Sequence, residues 1–355
     1  MRTPDHSQHD LFCAKTIEQL VPSDHPLRQL RPLVDEAMRQ LQPHLRQLYS
    51  HTGRPSIPPE RLLRALLLQV LYSVRSERRL MQELTCHMAW RWFVGLGLNE
   101  EVWDANVFTK NRERFLQGDV ARHWLQAVVR MLLERRLVDR EHFSVDATLI
   151  AAHAGERSYQ RKPDPPAGAG SGSRGELLKR DTHASSTDPD AQLYRKSKRA
   201  AFHLAYLGHL VMENRHGLIV AASASQVSTG ERAAARELLA GLRRQRLRVK
   251  TVGADGAYHE QDFVEPLREH RISAHVPAYQ GVKRRDWLSP RVRRSKAYQL
   301  SRRVRKRIES CFGWLKEVGG QRRTRFRGTA RVSWAFTFAS AALNLVRLMR
   351  LQPAH

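Results

Sequence analysis

The stretch EHFSVDATLIAA, residues 141–152, marks the point where the character of the chain changes. Upstream of it, apolar residues recur mostly at helical spacing, whereas this run is short and β-prone, as expected for a strand. Asp146 stands in its middle, with apolar residues on both sides. Because an unpaired charge in a buried strand is costly, the pattern predicts a strand whose aspartate has a function.

Downstream of this strand, strand-like and helical patterns alternate. The runs LAYLGHLVMEN and HGLIVAASASQV predict a hairpin that turns at residues 215–217, and LRVKTVGADGAY and ISAHVPAY predict two later strands. Helical patterns occupy residues 230–246, 260–270 and 296–319. The order β, β, β, α, β, α, β, α predicts an α/β fold with a mixed sheet flanked by helices.

The first part of the chain predicts an all-α domain. Residues 26–50 have helical spacing, although Pro43 should interrupt the helix. Prolines then begin a helix from about residue 59 to 74, two shorter helices follow, and another lies near 119–137. Such a unit can be a helix-turn-helix DNA reader, a plain bundle or a dimerisation surface, and its periodicity leaves these alternatives open.

A low-complexity segment interrupts the second half of the chain. The run KPDPPAGAGSGSRGE is rich in Pro, Gly and Ser and has no periodicity. It offers little apolar surface to offset the entropy of ordering the chain, so we predict a disordered insertion at about residues 157–198. We therefore divide the chain into a helical domain, residues 1–138, and a second domain, residues 139–350, that contains this insertion.

The charge of the chain indicates a polyanionic partner. Its 355 residues include 61 Lys and Arg against 35 Asp and Glu, which gives a net charge of +26 and a pI near 11. Such an excess predicts strongly salt-dependent binding to nucleic acid. An anionic membrane surface would also attract it.

Other features of the composition indicate where the protein works. The longest apolar stretch, near Ala65–Tyr72, is too short to span a bilayer, and the N-terminus lacks the apolar core of a signal peptide. Three cysteines without CxxC spacing argue against a disulfide framework and against a cysteine zinc site. We therefore expect a protein of a reducing cytoplasm that is not associated with a membrane.

Two aspartates occupy strand positions in the second domain. Asp146 lies within its strand, and Asp255 ends the run TVGAD just before Gly256. An aspartate at a strand end can simply cap a turn, which is a credible alternative for Asp255. Strand-borne carboxylates that converge at one end of a sheet, however, suit Mg²⁺, which prefers hard oxygen ligands.

A third carboxylate, Glu309, stands in the basic stretch RVRKRIESCFGWLK, residues 303–316. At about 100° per residue, Arg305, Glu309 and Lys316 lie within roughly 40° of arc on one helix, with Arg302 beside them. An apolar stripe adjoins this face, formed by Val304, Ile308, Phe312 and Leu315. Ordinary surface ion pairing, worth little energy, is the simplest alternative. The neighbouring cations could also bind DNA phosphates.

Several blocks along nearly the whole chain resemble the DDE transposases of bacterial insertion sequences. The N-terminal blocks are HPLRQLRPLVDEA, GRPSIPPERLLRALLLQVLYSVRSERRL, RWFVGLGL and FTKNRERF. The later blocks are FSVDATLI, DTHASSTDPDAQLYRK, GADGAYHEQDF and RVRKRIESCFGWLKEVGGQRRTRFRG. The last block is the most specific, because the family's signature helix has Arg, then Glu four residues on, then Lys seven beyond, matched here by Arg305, Glu309 and Lys316.

The resemblance implies an RNase H-like catalytic domain preceded by a helical transposase domain. In it, Asp146, Asp255 and Glu309 would be the catalytic residues and the ligands of two Mg²⁺ ions, with Mn²⁺ able to substitute. The family has Tyr three residues before the signature Arg, where this chain has Arg302, and Tyr298 one turn earlier is not an evident replacement. The family's tyrosine assists catalysis and is not a metal ligand. We therefore expect its replacement by Arg302 to change the reaction rate more than the type of reaction.

The implied activity is that of a transposase, and the resemblance implies a bacterial cytoplasmic protein associated with the nucleoid. It would bind the terminal inverted repeats of its element and double-stranded target DNA, act as a homo-oligomer on DNA, and catalyse metal-dependent cleavage and strand transfer. No nucleotide cofactor is expected, since the chain has no GxxxxGK[ST] motif. The alternatives are a DNA-binding regulator, an RNase H-like endonuclease without strand transfer, and a catalytically silent transposase remnant.

The DNA-binding surface is expected to lie in residues 283–331, which contain 18 Lys or Arg against three acidic residues. We predict phosphate contacts from Arg302, Arg305, Lys316, Arg322, Arg323 and Arg325. Other candidates have simpler explanations: His203 and His209 in a strand-like run favour structural roles over metal binding. Core packing is likewise favoured over base stacking for Trp90, Trp92 and Phe93.

Overall fold

The structure is a computed structural model and describes residues 15–50, 52, 56–162, 182–195, 201–245, 247–278 and 285–351. Seven helices come first: α1 (Ile17–Leu20), α2 (Pro26–Gln47), α3 (Pro59–Leu71), α4 (Glu77–Cys86), α5 (Met88–Val94), α6 (Ala105–Gln117) and α7 (Val120–Glu134). The strands that follow are β1 (His142–Ala151), β2 (Tyr159–Arg161), β3 (His183–Ser185), β4 (Gln192–Tyr194), β5 (His203–Glu213), β6 (Ile219–Gln226), β7 (Thr251–Gly253) and β8 (Ser273–His275). Between and after them lie α8 (Glu231–Arg244), α9 (Gln261–Glu269), α10 (Pro290–Arg294), α11 (Lys296–Val304), α12 (Arg307–Glu317) and α13 (Thr329–Leu351).

One mixed sheet organises the second half of the chain. Its strand order is β4-β5-β1-β7-β8, and β6 also pairs with β5. Strand β5 is antiparallel to β1, β4 and β6, whereas β7 runs parallel to β1 and β8 runs parallel to β7. This confirms the predicted α/β fold with a mixed sheet, flanked by helices and preceded by an all-α region.

The two faces of β1 belong to two apolar clusters, because successive side chains of a strand point to opposite sides. Val145 belongs to a cluster that includes Leu239 of α8, and Ile150 belongs to a cluster that includes Ile308 of α12. The sheet is therefore buried on both faces. A charged residue on β1 is consequently expected where this apolar packing ends.

Helix α13 joins the two halves of the chain. It packs on β6 of the sheet and on α7 and α2 of the helical region. Asn344, fully buried, donates to Ile219 O at 2.7 Å and accepts from Ile219 N at 2.8 Å, which fixes the helix to the sheet. By length and composition alone α13 could cross a membrane, but 78% of its most apolar window is buried inside the fold. It is a core helix, and the expectation that the longest apolar stretch lies near Ala65–Tyr72 is wrong.

Helix α2 continues through Pro43, so the predicted interruption is wrong. A proline inside a helix costs about 3 kcal/mol because it removes one hydrogen bond and crowds the preceding turn. Eight apolar residues of α2 are buried, among them Leu41 and Leu45 on either side of Pro43. Each buried side chain of this kind contributes about 1.5–3 kcal/mol, so packing against α7 outweighs the local penalty.

Part of the predicted insertion is folded, contrary to the expectation of disorder over residues 157–198. Strands β2 and β3 pair with each other, and β4 joins the main sheet. Residues 163–181 and 196–200, which include most of the low-complexity run, lie outside the described residues.

An acidic turn between β3 and β4 explains this order. Asp188 is 1% exposed and accepts hydrogen bonds from the Tyr206 hydroxyl at 2.7 Å and from Gly328 N at 3.1 Å. Asp190 accepts from Thr329 N, the first residue of α13, at 2.7 Å. The run STDPD therefore connects the insertion to the start of α13, which composition alone does not reveal.

The predicted hairpin between β5 and β6 is present, and the buried carboxylate of Glu213 holds its turn. It accepts N–H groups from Arg215 at 2.8 Å, His216 at 2.7 Å and Leu218 at 2.9 Å. We expect Glu213→Ala to lower the free energy of unfolding by about 3 kcal/mol or more, because these N–H groups lose their acceptor. Denaturant titration measures this, with the exposed Glu101→Ala as control, and equal midpoints for the two variants would contradict the assignment.

Candidate active site

Asp146 lies in the middle of β1, opposite Leu210 of β5, and its side chain is 18% exposed. Burial raises the pKa of this carboxyl to about 6, and the negative charge of Asp255 adds to the rise. A hydrogen bond from Ala147 N at 2.8 Å and the positive charge of Arg305 act in the opposite direction. A partly buried carboxylate beside a second one is a setting that a bound cation would stabilise.

This raised pKa predicts an unusual dependence of stability on pH. Between about pH 4 and pH 6 the folded protein holds a proton on Asp146 that the unfolded chain has lost. The free energy of unfolding should therefore fall as the pH rises through this window, by about 2–3 kcal/mol from this group. Asp146→Asn should remove that fall and be the more stable protein at neutral pH. Denaturant titrations in EDTA from pH 4 to pH 7 test this, and a parallel fall in wild type and variant would contradict it.

Asp255 lies two residues beyond the end of β7, the parallel neighbour of β1. It begins a short 3₁₀ turn at residues 256–258 and accepts the N–H of Ala257 at 3.0 Å. The turn cap considered as an alternative is thus present. The same position also brings the carboxylate close enough to Asp146 for their charges to repel.

Oxygen donors at this place fit a hard divalent cation. Asp146 and Asp255 together supply carboxylate oxygens from adjacent strands, and Mg²⁺ uses one or two carboxylates with water and phosphate oxygens. Within the described ranges, no three His, Cys, Asp or Glu side chains lie close enough together to hold a metal ion. The structure therefore brings two of the three predicted ligands together.

Glu309, the third predicted ligand, lies in the first turn of α12 and is exposed. Ile308, Cys311 and Leu315 on the same helix are buried and hold it against the sheet. In the part of the chain that the structure describes, the carboxylate of Glu309 is not among the largest influences on the pKa of Asp146. It stays a predicted ligand, and Arg305, two residues before the start of α12, contacts Asp146.

The predicted long helix at residues 296–319 is divided, which is a correction with a functional consequence. Helix α11 ends at Val304, and α12 begins at Arg307. Arg305 lies in the break, and its Nη1 is 3.4 Å from Oδ2 of Asp146. Arg305 and Glu309 are therefore not on one face of a continuous helix, and Arg305 points to the aspartate pair.

Tyr298 belongs to the core. It is 5% exposed, its hydroxyl donates to Val276 O at 3.2 Å, and its ring meets the ring of His275 edge to face. These contacts are those of a structural residue, and the role of the family's tyrosine stays unassigned. Arg302, which stands at that position, is exposed.

The predicted phosphate-binding residues after α12 differ in how they are held. Arg322 is largely exposed and pairs with Glu317 at 3.1 Å. Arg323 donates through Nε to Ala152 O at 3.1 Å, where its backbone lies beside the end of β1. Lys316 is half-buried in the last turn of α12.

Arg325 is held by the helical region. Its guanidinium donates to Gln69 Oε1 at 2.7 Å and to Arg75 O at 3.0 Å. Burial of this group lowers its pKa to about 10, although other atoms of the residue are exposed. Two N–H donors of the Arg325 guanidinium therefore connect the helical region around α3 to the segment that follows α12.

The remaining candidates have the structural roles that were favoured. His209 is buried, binds Ser225 Oγ at 2.8 Å, and its pKa is lowered to about 4 by burial. His203 lies 2.7 Å from Glu156. Trp90 and Phe93 are buried in the apolar core of the helical region, whereas Trp92 packs under cations at its edge.

One acidic residue near the site was not predicted. Glu231, the first residue of α8, acts electrostatically on both Asp146 and Asp255. The sequence held no usable signal, because an acidic residue in the first turn of a helix is ordinary.

Comparisons with solved structures gave low similarity. A cryo-EM structure of the piggyBac transposase synaptic complex with hairpin DNA matches with 6% identity and a TM-score of 0.42, over 91% of this chain and 75% of that one. A crystal structure of the Mos1 strand transfer complex matches with 10% identity and a TM-score of 0.22, over 78% of this chain and 82% of that one. A search of curated proteins gave no match.

Comparison with protein-family models gave two matches. Residues 15–114 match a model described as a transposase domain (DUF772), and residues 138–345 match the transposase DDE domain. The second match covers more than half of the chain and contains the aspartate pair and Glu309. The chain therefore belongs to the family of DDE transposases.

Proposed function

We propose that this transposase binds the terminal inverted repeats of an insertion sequence and catalyses cleavage and strand transfer at them. The observation that carries the proposal is the pair formed by Asp146, in β1, and Asp255, just beyond the end of β7, with Arg305 in contact with Asp146. A DNA-binding regulator would have no use for this costly arrangement of buried charge.

In this proposal Asp146 and Asp255 hold divalent cations, and Glu309 completes the ligand set. Mg²⁺ held by these residues would supply Lewis-acid activation of the attacking oxygen and stabilisation of the leaving one. The role of the chain is to supply oxygen ligands on a rigid sheet, and such ligands suit Mg²⁺ and Mn²⁺. Mn²⁺ has similar ligand preferences and should substitute.

The reaction has two displacements at phosphorus. In the first, water attacks the phosphodiester at the element end, a new P–O bond forms, and the bond to the 3′ oxygen breaks to leave a free 3′-OH. In the second, that 3′-OH attacks a target phosphodiester, and the target's own 3′ oxygen leaves. Neither step needs a nucleotide cofactor or a covalent protein–DNA intermediate.

Positive side chains around the aspartates would position the DNA. Arg305 neutralises Asp146 in the free protein, and the same guanidinium is placed to contact a phosphate once cations occupy the carboxylates. Arg302 and Arg322 are exposed along the same basic segment. Most of these contacts are to the backbone, so they set position and affinity rather than sequence preference.

The salt dependence of binding tests this surface. Arg302→Ala with Arg322→Ala should weaken binding to related and unrelated duplexes alike, and lower the slope of log K against log salt by about one per lost contact. Arg325→Ala should instead mainly lower thermal stability, because its guanidinium is bonded to Gln69 and Arg75. Fluorescence anisotropy at several salt concentrations measures the slopes. A loss confined to terminal-repeat DNA would show that the surface reads sequence.

The proposal assigns different functions to the two parts of the chain. Residues 1–138 would contribute to recognition of the element end, and residues 139–350 would carry the chemistry, with several copies of the chain assembled on two DNA ends. An endonuclease without strand transfer and a silent remnant stay as alternatives, since both would share the aspartate pair.

The experiment that tests the proposal uses the DNA that flanks the coding sequence. Purified protein, Mg²⁺ and duplexes that contain the flanking inverted repeats should yield nicks at the element ends. Duplexes with scrambled repeats, or reactions in EDTA, should yield none. Equal cutting of scrambled and authentic ends would reject terminal-repeat recognition, and no cutting with either Mg²⁺ or Mn²⁺ would favour the silent remnant.

A further inference from the structure

The carboxylate of Asp286, in the basic segment before α11, has three hydrogen-bonding neighbours. It accepts the guanidinium of Arg293 through both oxygens, at 2.6 Å from Nε and at 2.6 Å from Nη2. It also accepts Leu288 N at 2.9 Å and lies 3.0 Å from Nε2 of His259. The hydrogen bonds from Arg293 lower the pKa of this carboxyl to about 2. Because an ionised carboxylate can only accept, Nε2 of His259 carries the proton in this contact.

His259 belongs to the turn that carries Asp255. It is 5% exposed and closes the 3₁₀ turn at residues 256–258 by donating its N–H to Gly256 O at 3.0 Å. In the same turn, Tyr258 N donates to Asp255 O at 3.2 Å. The contact between His259 and Asp286 therefore fastens the turn of Asp255 to a segment 27 residues further along the chain.

Arg293 continues these contacts into α11. Its Nη1 donates to the hydroxyl of Tyr298 at 3.4 Å, and this hydroxyl donates to Val276 O at 3.2 Å. Val276 directly follows β8, and Tyr298 is buried. The side chains of His259, Asp286, Arg293 and Tyr298 thus form one polar cluster that fixes the start of α11 to the sheet.

A second contact fixes the later part of α11. Ser301 Oγ lies 2.7 Å from Nδ1 of His275 in β8, and both residues are buried. Helix α11 ends at Val304, and Arg305 follows with its contact to Asp146. The turn of Asp255 and the segment that carries Arg305 are therefore held by the same group of contacts around β8 and α11.

Other cations of this segment are exposed. In α10, Arg291 and Arg294 are exposed, whereas Arg293 between them is directed to Asp286. Under the proposed function the two exposed guanidinium groups are placed to contact DNA phosphates. A phosphate bound at α10 would then stand in a fixed relation to the turn of Asp255, through Asp286 and His259.

We propose that His259, Asp286 and Arg293 are positioning residues of the transposase reaction. Their cluster holds the turn of Asp255 in a fixed place relative to Arg305 and to the basic segment at α10, without itself touching the reacting atoms. This inference rests on the proposed function, because it concerns the placement of a proposed site residue. The alternative is an ion pair that only stabilises the fold.

Asp286→Asn distinguishes the two roles. The change removes one of the three acidic residues of the basic segment 283–331, so the affinity for DNA should equal or exceed that of wild type. The single-turnover rate of nicking, at saturating protein, should nevertheless fall by roughly 10–100-fold, because small displacements of reacting groups cause losses of this size. A slower reaction with undiminished DNA binding is not expected from partial unfolding, which lowers both.

Variants of His259 complete the series. His259→Phe removes the N–H donor and should behave like Asp286→Asn. His259→Gln keeps an N–H donor and should recover most of the nicking rate. Glu269→Gln, at the exposed end of α9, removes a negative charge outside the cluster and is the matched control, which should nick like wild type.

Hydrogen exchange in EDTA follows the turn itself without any measurement of activity. Peptides that cover residues 255–260 should exchange several-fold faster in Asp286→Asn and His259→Phe than in wild type and Glu269→Gln. Unchanged exchange with unchanged nicking in Asp286→Asn would overturn the inference. Equal losses of nicking and DNA affinity, together with a lower melting temperature, would also overturn it in favour of the ion pair that only stabilises the fold. Failure of the wild type to cleave authentic ends would instead reject the proposed function and this inference together.

Discussion

Asp146→Asn and Asp255→Asn should each lower Mg²⁺-dependent cleavage of element ends by about 1,000-fold or more, while binding to DNA stays near wild type. Each change replaces an anionic oxygen by an amide of nearly equal size, so the ligand is lost without a cavity. Catalysis by bound cations depends on their charge at the attacking and leaving oxygens, which leaves little activity when a ligand is missing.

Cleavage would be measured with labelled end duplexes and binding by gel shift, with the exposed Asp24→Asn as the control. Glu309→Gln belongs in the same series, because the free structure does not bring Glu309 to the aspartates. A loss as large as that of Asp146→Asn would place Glu309 among the ligands. Near-wild-type cleavage by any one of these variants would remove that residue from the triad.

The second large effect concerns Arg305 and Lys316. Arg305→Ala with Lys316→Ala should lower the joining of a pre-cut end to target DNA by about 100-fold and initial nicking by only about tenfold. Nicking needs one positioned phosphodiester, whereas joining also needs the 3′-OH and the target phosphate in line. Arg305 lies in the break before α12, whereas Lys316 lies in the last turn of α12, so the two cations would contact different phosphates.

The two single variants, Arg305→Ala and Lys316→Ala, separate the contributions of the two residues to nicking and joining. Arg305 contacts Asp146 directly, so Arg305→Ala should affect both steps, whereas Lys316→Ala should affect mainly joining. Comparing pre-cut and uncut oligonucleotides in the same reaction measures the two steps separately. Equal losses in nicking and joining for Lys316→Ala would show that Lys316 contributes to DNA affinity in general and not to joining in particular.

The sequence predicted the parts of the fold that depend on local pattern. Strands β1, β5, β6, β7 and β8, helices α8 and α9, and the hairpin that turns at residues 215–217 follow from alternation and turn residues. These signals work because a buried parallel strand and a helix have distinct apolar periods.

The remaining features depend on contacts between distant segments. The break at Arg305 has no proline or glycine to announce it, and the continuation of α2 through Pro43 follows from packing on α7. Arg325 was predicted to bind phosphate. Its hydrogen-bond partners, Gln69 and Arg75, could not be foreseen because they are more than 200 residues away in sequence. The charges of Glu231 and Asp255 act on each other only because α8 packs beside β1 and β5.

The central claim is that the aspartate pair serves strand transfer, and one measurement tests it most directly. Pre-cut terminal-repeat oligonucleotides, plasmid target and Mg²⁺ would be incubated with wild type and with Asp146→Asn. The account predicts oligonucleotide joined through its 3′ end to plasmid with wild type, and no joined product with Asp146→Asn or in EDTA. Nicking by wild type without any joining, with authentic ends and with Mn²⁺ also supplied, would contradict it and leave an endonuclease in its place.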